Sequence, residues 1–573
     1  MGVDAGTVHS PHPSVAARIA ALSPDQREAA TAPPGPVLCV APAGSGKTTT
    51  LVARVAWLVD AGTDPATIAA ITFNKRAAEE LVERIDAALA PLGLEPGAVR
   101  VRTFHALGRE ILREAGRPIE PLVDRDRLLR AAPAGGDPAW RRRMDDAISR
   151  AKLDPDGWEA HLAALPVEEA DALAADVAEY GEAARAAGGL DFDDLVAGAL
   201  ASLRADPAVL ATWRARCAHL LVDEVQDVDA SQLALALLLA APANRALFVG
   251  DDDQSIYGWR LADVRRILGL AARLPGMRRV DLVTNRRCPP VVVERAVRLV
   301  EWNRERFAKA VRPAPSAAGA LHLVPETGDE ELTLRAVVRA WPQDGTHAIL
   351  ARTNRELLVA LAVVLDLALP FRAERLPDLT ADPRVDTLLD LAARVDPRTP
   401  DPVRVLAAAR AMAAVPASGP TRTPGAASPA VDADADPDGD GHDLAAVVAA
   451  VLGWVARHGS LAETAVAVAE TRRRIAALRS DAATLSLATA HATKGLEFHD
   501  VAVLGMSAGR FPSARSLSDA DDPERALEEE RRLAYVAWTR ARRTLYLLYD
   551  PASPSRFLAE AFGQDEIPGA AAS

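Results

Sequence analysis

Residues 41–48 read APAGSGKT, a glycine-rich turn ending in a lysine and a threonine. The apolar run VLCVA precedes it, and TTTLVARVAWLV, with a helical pattern, follows. A strand–turn–helix order lets successive backbone N–H groups wrap a polyphosphate at a helix N-terminus, where the helix dipole favours anions. That cradle falls on Ala43, Gly44, Ser45, Gly46, Lys47, Thr48 and Thr49. Lys47 would reach the β- and γ-phosphates and Thr48 would hold Mg2+. Ala41 stands at the strand exit, where the general pattern has a glycine.

Two further stretches carry matching chemistry. HLLVDEVQD (219–227) is an apolar run ending in two acids. Asp223 would bind Mg2+ directly or through water, and Glu224 would position and polarise an attacking water. ALFVGDDDQSIYGWR (246–260) ends a similar run in three acids and a glutamine, Gln254, placed to sense a γ-phosphate. Tyr257, Trp259 and Arg260 follow at once, in a chain with only 4% aromatic residues. Exposed aromatics beside an arginine suit base stacking; a pair packed in the core is the alternative.

These residues need a scaffold that brings distant segments together. Short apolar runs (PVLCVA, AAITF, HLLVDE, ALFVGD, LHLV, HAILART, LSLATA, VAVLG, TLYLLY) alternate with amphipathic stretches such as KRAAEELVERIDAAL. That alternation predicts an α/β fold with parallel sheets covered on both faces. The strands form two groups. One ends near 285; the other begins near 320 and resumes near 485 after an interruption. Residues 110–196 and 396–480 read as helical. The Pro/Gly/Ala/Asp-rich stretch near 416–443 is expected to be disordered, since it has too little apolar surface to offset ordering entropy. Within it Asp434, Asp436, Asp438 and Gly439 imitate the start of a calcium loop, but the twelfth position is Ala445 rather than a bidentate glutamate.

Composition narrows the function classes. The chain has 573 residues, enough for several domains, and 49% hydrophobic residues, an ordinary globular value. Its net charge of −13 means that a nucleic-acid partner requires a local basic channel. Three scattered cysteines (Cys39, Cys217, Cys288) support neither a disulfide framework nor a zinc site. The longest apolar run, residues 233–241, stops at Pro242 and is too short to span a bilayer. With no signal-peptide pattern at the start, the expectation is a cytoplasmic protein without membrane association.

Taken in order, the motifs resemble those of superfamily 1A helicases of the UvrD/Rep/PcrA type. LSPDQREAA (22–30) is similar to the family's Q motif, APAGSGKT to motif I, ITFNKRAAEEL (71–81) to motif Ia and VRTFHALG (101–108) to the next DNA-contacting motif. LDFDDLV (190–196) resembles the close of the first inserted subdomain. VDEVQD and GDDDQSIYGWR resemble motifs II and III, and LVTNRRCP (282–289) motif IV. LATAHATKGLEFHDV (487–501) and EEERRLAYVAWTRA (528–541) resemble motifs V and VI.

The resemblance implies roles. Gln26 would read adenine, Glu497 would bind ribose and Gly495 would sit near the γ-phosphate. Arg287 and Arg532 would act as arginine fingers from the second sheet's side of a cleft, with Arg531 and Arg540 as competitors for the latter role. Phe73, Phe192, Tyr257 and Trp259 would line a single-strand path. Thr72, Phe104, His105, Arg260, Thr489 and His491 would contact backbone or bases. Three departures stand out. Arg286 replaces a common adenine-stacking aromatic, motif Ia reads TFNKRAA, and the second insertion is much shorter than usual.

The expected architecture is two RecA-like domains, each with a helical insertion. Residues 1–109 and 197–285 would form the first domain and 110–196 its insertion. Residues 286–395 and 481–573 would form the second, with a reduced insertion at 396–480. The implied activity is ATP- and Mg2+-dependent 3′–5′ movement on single-stranded DNA and unwinding of tailed duplexes, in company with repair or recombination proteins. The alternatives are a protein-stripping translocase that does not unwind and a nucleotide-gated DNA-binding module with little turnover.

Overall fold

The computed structural model describes residues 10–376, 378–414 and 444–569. The expected disordered stretch and the calcium-loop imitation lie outside the described residues. The described residues divide into two compact units, one within 1–287 and 303–316 and the other within 288–302 and 317–573.

The first unit is built on six parallel strands: β1 (Val37–Val40), β2 (Ile68–Thr72), β3 (Arg100–Thr103), β4 (His219–Val222), β5 (Ala246–Gly250) and β6 (Arg278–Asp281). Their spatial order is β3-β2-β4-β5-β1-β6. Because side chains alternate across a sheet, each central strand feeds two cores. Leu38, Val40, Ile71, Val222 and Phe248 pack on one face; Val37, Cys39, Ala70, Leu221 and Val249 pack on the other. Burial on both faces is why these strands read as continuous apolar runs rather than alternating ones.

Two of the helices that follow strands begin with side-chain caps that satisfy otherwise orphaned N–H groups. Asn74 accepts from Ala77 N at the head of helix Lys75–Leu89, and Thr103 accepts from Ala106 N at the head of Phe104–Glu114. The run at 233–241 falls on helix Ala230–Ala240 and its C-cap Ala241, largely buried against the sheet. No single helix among the described residues is long and apolar enough to cross a membrane. Residues 125–186 fold as four helices around a separate small core of Leu129, Met144, Ile148, Leu173 and Tyr180. A two-stranded parallel sheet, β7 (Thr284–Asn285) with β8 (Arg312–Pro313), completes the unit.

The second unit holds five parallel strands: β9 (Ala320–Pro325), β10 (His347–Ala351), β11 (Leu485–Thr489), β12 (Phe498–Val503) and β13 (Ala541–Tyr549). They are ordered β11-β10-β12-β13-β9. The buried helix Pro523–Trp538 leads into β13. A second hydrophobic cluster within this unit, including Val385, Leu388, Val405, Val447 and Val451, binds the helices between β10 and β11.

Candidate nucleotide and nucleic-acid site

The chemistry of the first unit gathers at the C-terminal ends of β1, β4 and β5, the edge where open parallel sheets bind ligands. The chain leaves β1 with Ala41 N bonded to Gly250 O at 2.8 Å, then turns through Gly44 (φ +67°) and Gly46 (φ +88°) into helix Lys47–Asp60. Both glycines occupy left-handed backbone that side chains adopt at a cost. A Cβ on Gly46 would lie 2.4 Å from Gln26 Nε2, and one on Gly44 would lie 2.7 Å from Arg287 Cβ.

Gln26 is buried and supports the turn directly. Its Nε2 donates to Ser45 O at 2.8 Å, while its Oε1 accepts from Ser23 N at 3.1 Å. Thr48 is half-buried in the first turn and Thr49 exposed. Lys47 Nζ donates to Glu224 Oε2 at 3.0 Å. Burial alone would depress the lysine, but Glu224, Asp251 and Asp223 outweigh it and raise its pKa.

At the end of β4, Asp223 N bonds to Ile71 O, and Glu224 takes a left-handed conformation (φ 51°) that sets its carboxylate beside Lys47. Burial, then the charge of Glu224, pushes the Asp223 carboxyl up to about 7. Gln226 ties this segment to β5. Its Nε2 donates to Glu224 Oε2 at 2.6 Å and its Oε1 accepts from Asp251 N at 3.0 Å. At the end of β5, Gln254 Nε2 donates to Asp251 Oδ2 at 2.6 Å.

Arg287 falls in the same compact unit as the phosphate loop, rather than with the second sheet as its motif suggested. The physical reason is the β7–β8 pairing and the bond from Arg286 N to Gly44 O at 2.9 Å, which fasten this segment to the loop. Asn285 Oδ1 accepts from Arg287 N.

Tyr257 and Trp259 follow Gln254 by three and five residues in the chain. Phe73 stacks on Tyr257 with centroids 5.1 Å apart, Trp259 meets Tyr257 edge-on at 6.3 Å, and the Arg260 guanidinium covers the Trp259 ring at 4.8 Å. His105 stacks on Phe192 at 3.9 Å. Burial holds the His105 imidazole down at about 4; Asp193 opposes and Arg260 assists. Two expectations change here. Tyr257 is buried, its face covered by Phe73, whereas Trp259 and Arg260 are half-buried. Phe104 is 1% exposed and packs in the sheet core, so its part is to seat the helix that carries His105. Thr72 is likewise fully enclosed.

In the second unit, Thr489 ends β11 and His491 follows in a short turn; both are buried. Burial lowers His491 well below its ordinary pKa. Gly495 (φ +86°) and Glu497 are exposed, and Glu497 pairs with Arg542 at 3.0 Å. Arg532 is buried and donates to Glu528 at 3.2 Å. Its competitors are engaged: Arg531 is paired with Glu560, and Arg540 donates to Val536 O and Leu496 O. Gln226, Asn285 and Lys309 were not singled out by sequence. The first two sit inside recognised motifs, whereas FAKAVRP gives no local signal for Lys309.

A parallel α/β sheet with a lysine-bearing phosphate loop opposite an Asp–Glu pair defines a nucleotide-binding protein of the RecA-like class. The UvrD/REP helicase N-terminal domain matches residues 22–275, and the UvrD-like helicase C-terminal domain matches residues 465–551. The chain is 31% identical to ATP-dependent DNA helicase UvrD2 of Mycobacterium tuberculosis (strain ATCC 25618 / H37Rv), over 96% of this chain and 83% of that protein. It is 31% identical to UvrD1 of the same strain, over 96% and 84%, and 29% identical to DNA helicase II of Escherichia coli (strain K12), over 94% and 87%. The chain belongs to the UvrD/Rep helicase family.

Proposed function

We propose that the protein is an ATP-dependent DNA helicase that moves 3′ to 5′ on single-stranded DNA and unwinds tailed duplexes. The observation that carries this reading is the length of one loop. Gln254, bonded to Asp251 beside the Lys47–Glu224 pair, is only three residues from Tyr257, which stacks with Phe73 and touches Trp259. A change at the γ-phosphate therefore has only one short turn to cross before it reaches the aromatic group. The direction of movement rests on the family resemblance alone.

In this reading the γ-phosphate draws Lys47 away from Glu224. The freed carboxylate accepts a hydrogen bond from the attacking water and takes its proton. Gln254 contacts the γ-phosphate, and Arg287 and Arg532 stabilise charge that develops on it; arginine fingers contribute about 10³–10⁵ in rate in comparable enzymes. Gln26 braces the loop and remains the candidate adenine reader, with Glu497 for the ribose and Gly495 near the γ-phosphate. The hydroxyl of Thr48 and the carboxylate of Asp223 are hard oxygen donors, and Asp223 is buried beside a like charge. That donor set fits Mg2+, which when bound neutralises phosphate charge. Trp259, Arg260, His105, Phe192, Thr489 and His491 are the candidate DNA-facing set. In this reading the protein acts in the cytoplasm alongside repair or recombination proteins, an expectation that rests on the family resemblance alone.

The test is ATPase with and without single-stranded DNA, followed by unwinding of 3′-tailed and 5′-tailed duplexes. Stimulation by DNA that vanishes in Lys47→Ala and Glu224→Gln, with unwinding of the 3′-tailed duplex, supports the reading. ATPase with no strand displacement on either duplex points to a translocase, and binding without turnover to a gated module.

A further inference from the structure

Residues 303–316 belong to the first unit, although the chain on both sides of them, 288–302 and 317 onward, belongs to the second. This short strap is fastened at two places. At one end of its hold, Lys309 carries a fully buried ammonium among three consecutive carboxylates. Nζ lies 2.9 Å from Asp251 Oδ1 and 2.9 Å from Asp253 Oδ2, and it also pairs with Asp252. Arg306 adds a two-nitrogen grip on Asp253, at 3.0 and 2.9 Å, and Phe307 N donates to Asp252 at 2.8 Å. At the other end, Arg312 N donates to Val283 O and Ala314 N to Asn285 O, each at 2.8 Å, through the β7–β8 pairing.

The two holds converge on the nucleotide residues. Asp251 divides its carboxylate: Oδ1 takes Lys309 and Oδ2 takes Gln254 Nε2. The β8 hold supports Asn285, whose Oδ1 accepts from Arg287 N next to Gly44. We propose that residues 303–316 form a coupling strap and that Lys309 is its anchor, a positioning residue that sets Gln254 through Asp251. The strap's two holds therefore bear on the residue that contacts the γ-phosphate, and its loss is read at that residue. Without Lys309, Arg306 would still compensate Asp253, but the neighbouring buried carboxylates of Asp251 and Asp252 would repel each other and release Asp251, because uncompensated buried charge is costly. The inference rests on the reading of Gln254 as the γ-phosphate sensor.

The test compares affinities for a non-hydrolysable ATP analogue and for ADP by fluorescent-nucleotide titration, which requires no turnover. The anchor variant is Lys309→Met combined with Asp252→Asn, which keeps the cluster's net charge. Asp251→Asn, isosteric, is the second variant should the first fail to fold; circular dichroism and melting report folding. The triphosphate preference is expected to fall about tenfold in each folded variant, toward the value of Gln254→Ala. Adding the Lys309 and Asp252 changes to Gln254→Ala is expected to alter it by less than about twofold, since groups acting as one unit are non-additive. A purely structural role would lower melting temperature and leave the preference intact. Retention of the preference in a folded variant overturns the inference alone. A wild-type chain with no triphosphate preference overturns the sensor reading and the inference together.

Discussion

Lys47 Nζ and Glu224 Oε2 lie 3.0 Å apart, joining the head of one helix to the end of β4 across 177 residues. The pair sets up a competition: a phosphate that takes the lysine frees the carboxylate. Glu224→Gln therefore removes the proposed general base and at the same time loosens the rival for Lys47. Nucleotide affinity is expected to stay level or rise while turnover falls about 10²–10⁴-fold. Lys47→Ala is expected to lose affinity as well as turnover. Nucleotide titration beside steady-state ATPase measures both, and parallel losses of affinity in the two variants would refute the exchange.

Gly44 and Gly46 offer a graded test of the phosphate loop. Alanine at either position occupies left-handed backbone, at a cost of about 1–2 kcal/mol. The steric surroundings differ. At position 46 the new methyl meets the movable amide end of Gln26, whereas at 44 it meets Asn285 Oδ1 at 2.9 Å and Arg287 Cβ at 2.7 Å, beside the paired strand β7. Gly44→Ala is expected to lower the melting temperature and the nucleotide affinity more than Gly46→Ala. The reverse order in thermal melts would show that β7 yields more easily than Gln26.

The parallel α/β architecture was legible because strands buried on both faces, such as ALFVG and VLCV, stand out as uninterrupted apolar runs. The loop from Gly44 to Thr48 was legible because its geometry demands particular residue types. Lys309 was not: a lone lysine between alanines gives no hint that the fold closes it among Asp251, Asp252 and Asp253. Nor does the string SIYGWR reveal that Phe73, some 180 residues earlier, covers the Tyr257 ring. Both depend on packing between distant segments, which local pattern does not encode.

That packing separates the roles of Tyr257 and Trp259. Stacking of a base contributes about 1–3 kcal/mol. Trp259→Ala is expected to weaken single-strand affinity by a corresponding ~5–150-fold with little change in melting, because the ring is half-buried and outside the sheet core. Tyr257→Ala removes a buried ring that Phe73 and Trp259 rest on, so melting temperature and DNA affinity should fall together. Fluorescence anisotropy with a labelled oligonucleotide, paired with thermal melts, reads both. A Trp259→Ala protein with full DNA affinity would remove the indole from the binding surface.

His105 supplies a pH test of the neighbouring stack. Its folded pKa is depressed to about 4, chiefly by burial, against an ordinary value of 6.5. Between those values the unfolded chain binds a proton that the folded chain does not, so stability falls as pH drops from about 6.5 toward 4. The contribution lost by pH 5 is on the order of 1–2 kcal/mol. His105→Gln lacks the titrating group, so the wild-type protein should lose melting temperature relative to this variant on going from pH 7 to pH 5, and the two should run parallel above pH 7. A difference that does not change with pH would mean that the imidazole beside Phe192 titrates as it does in water.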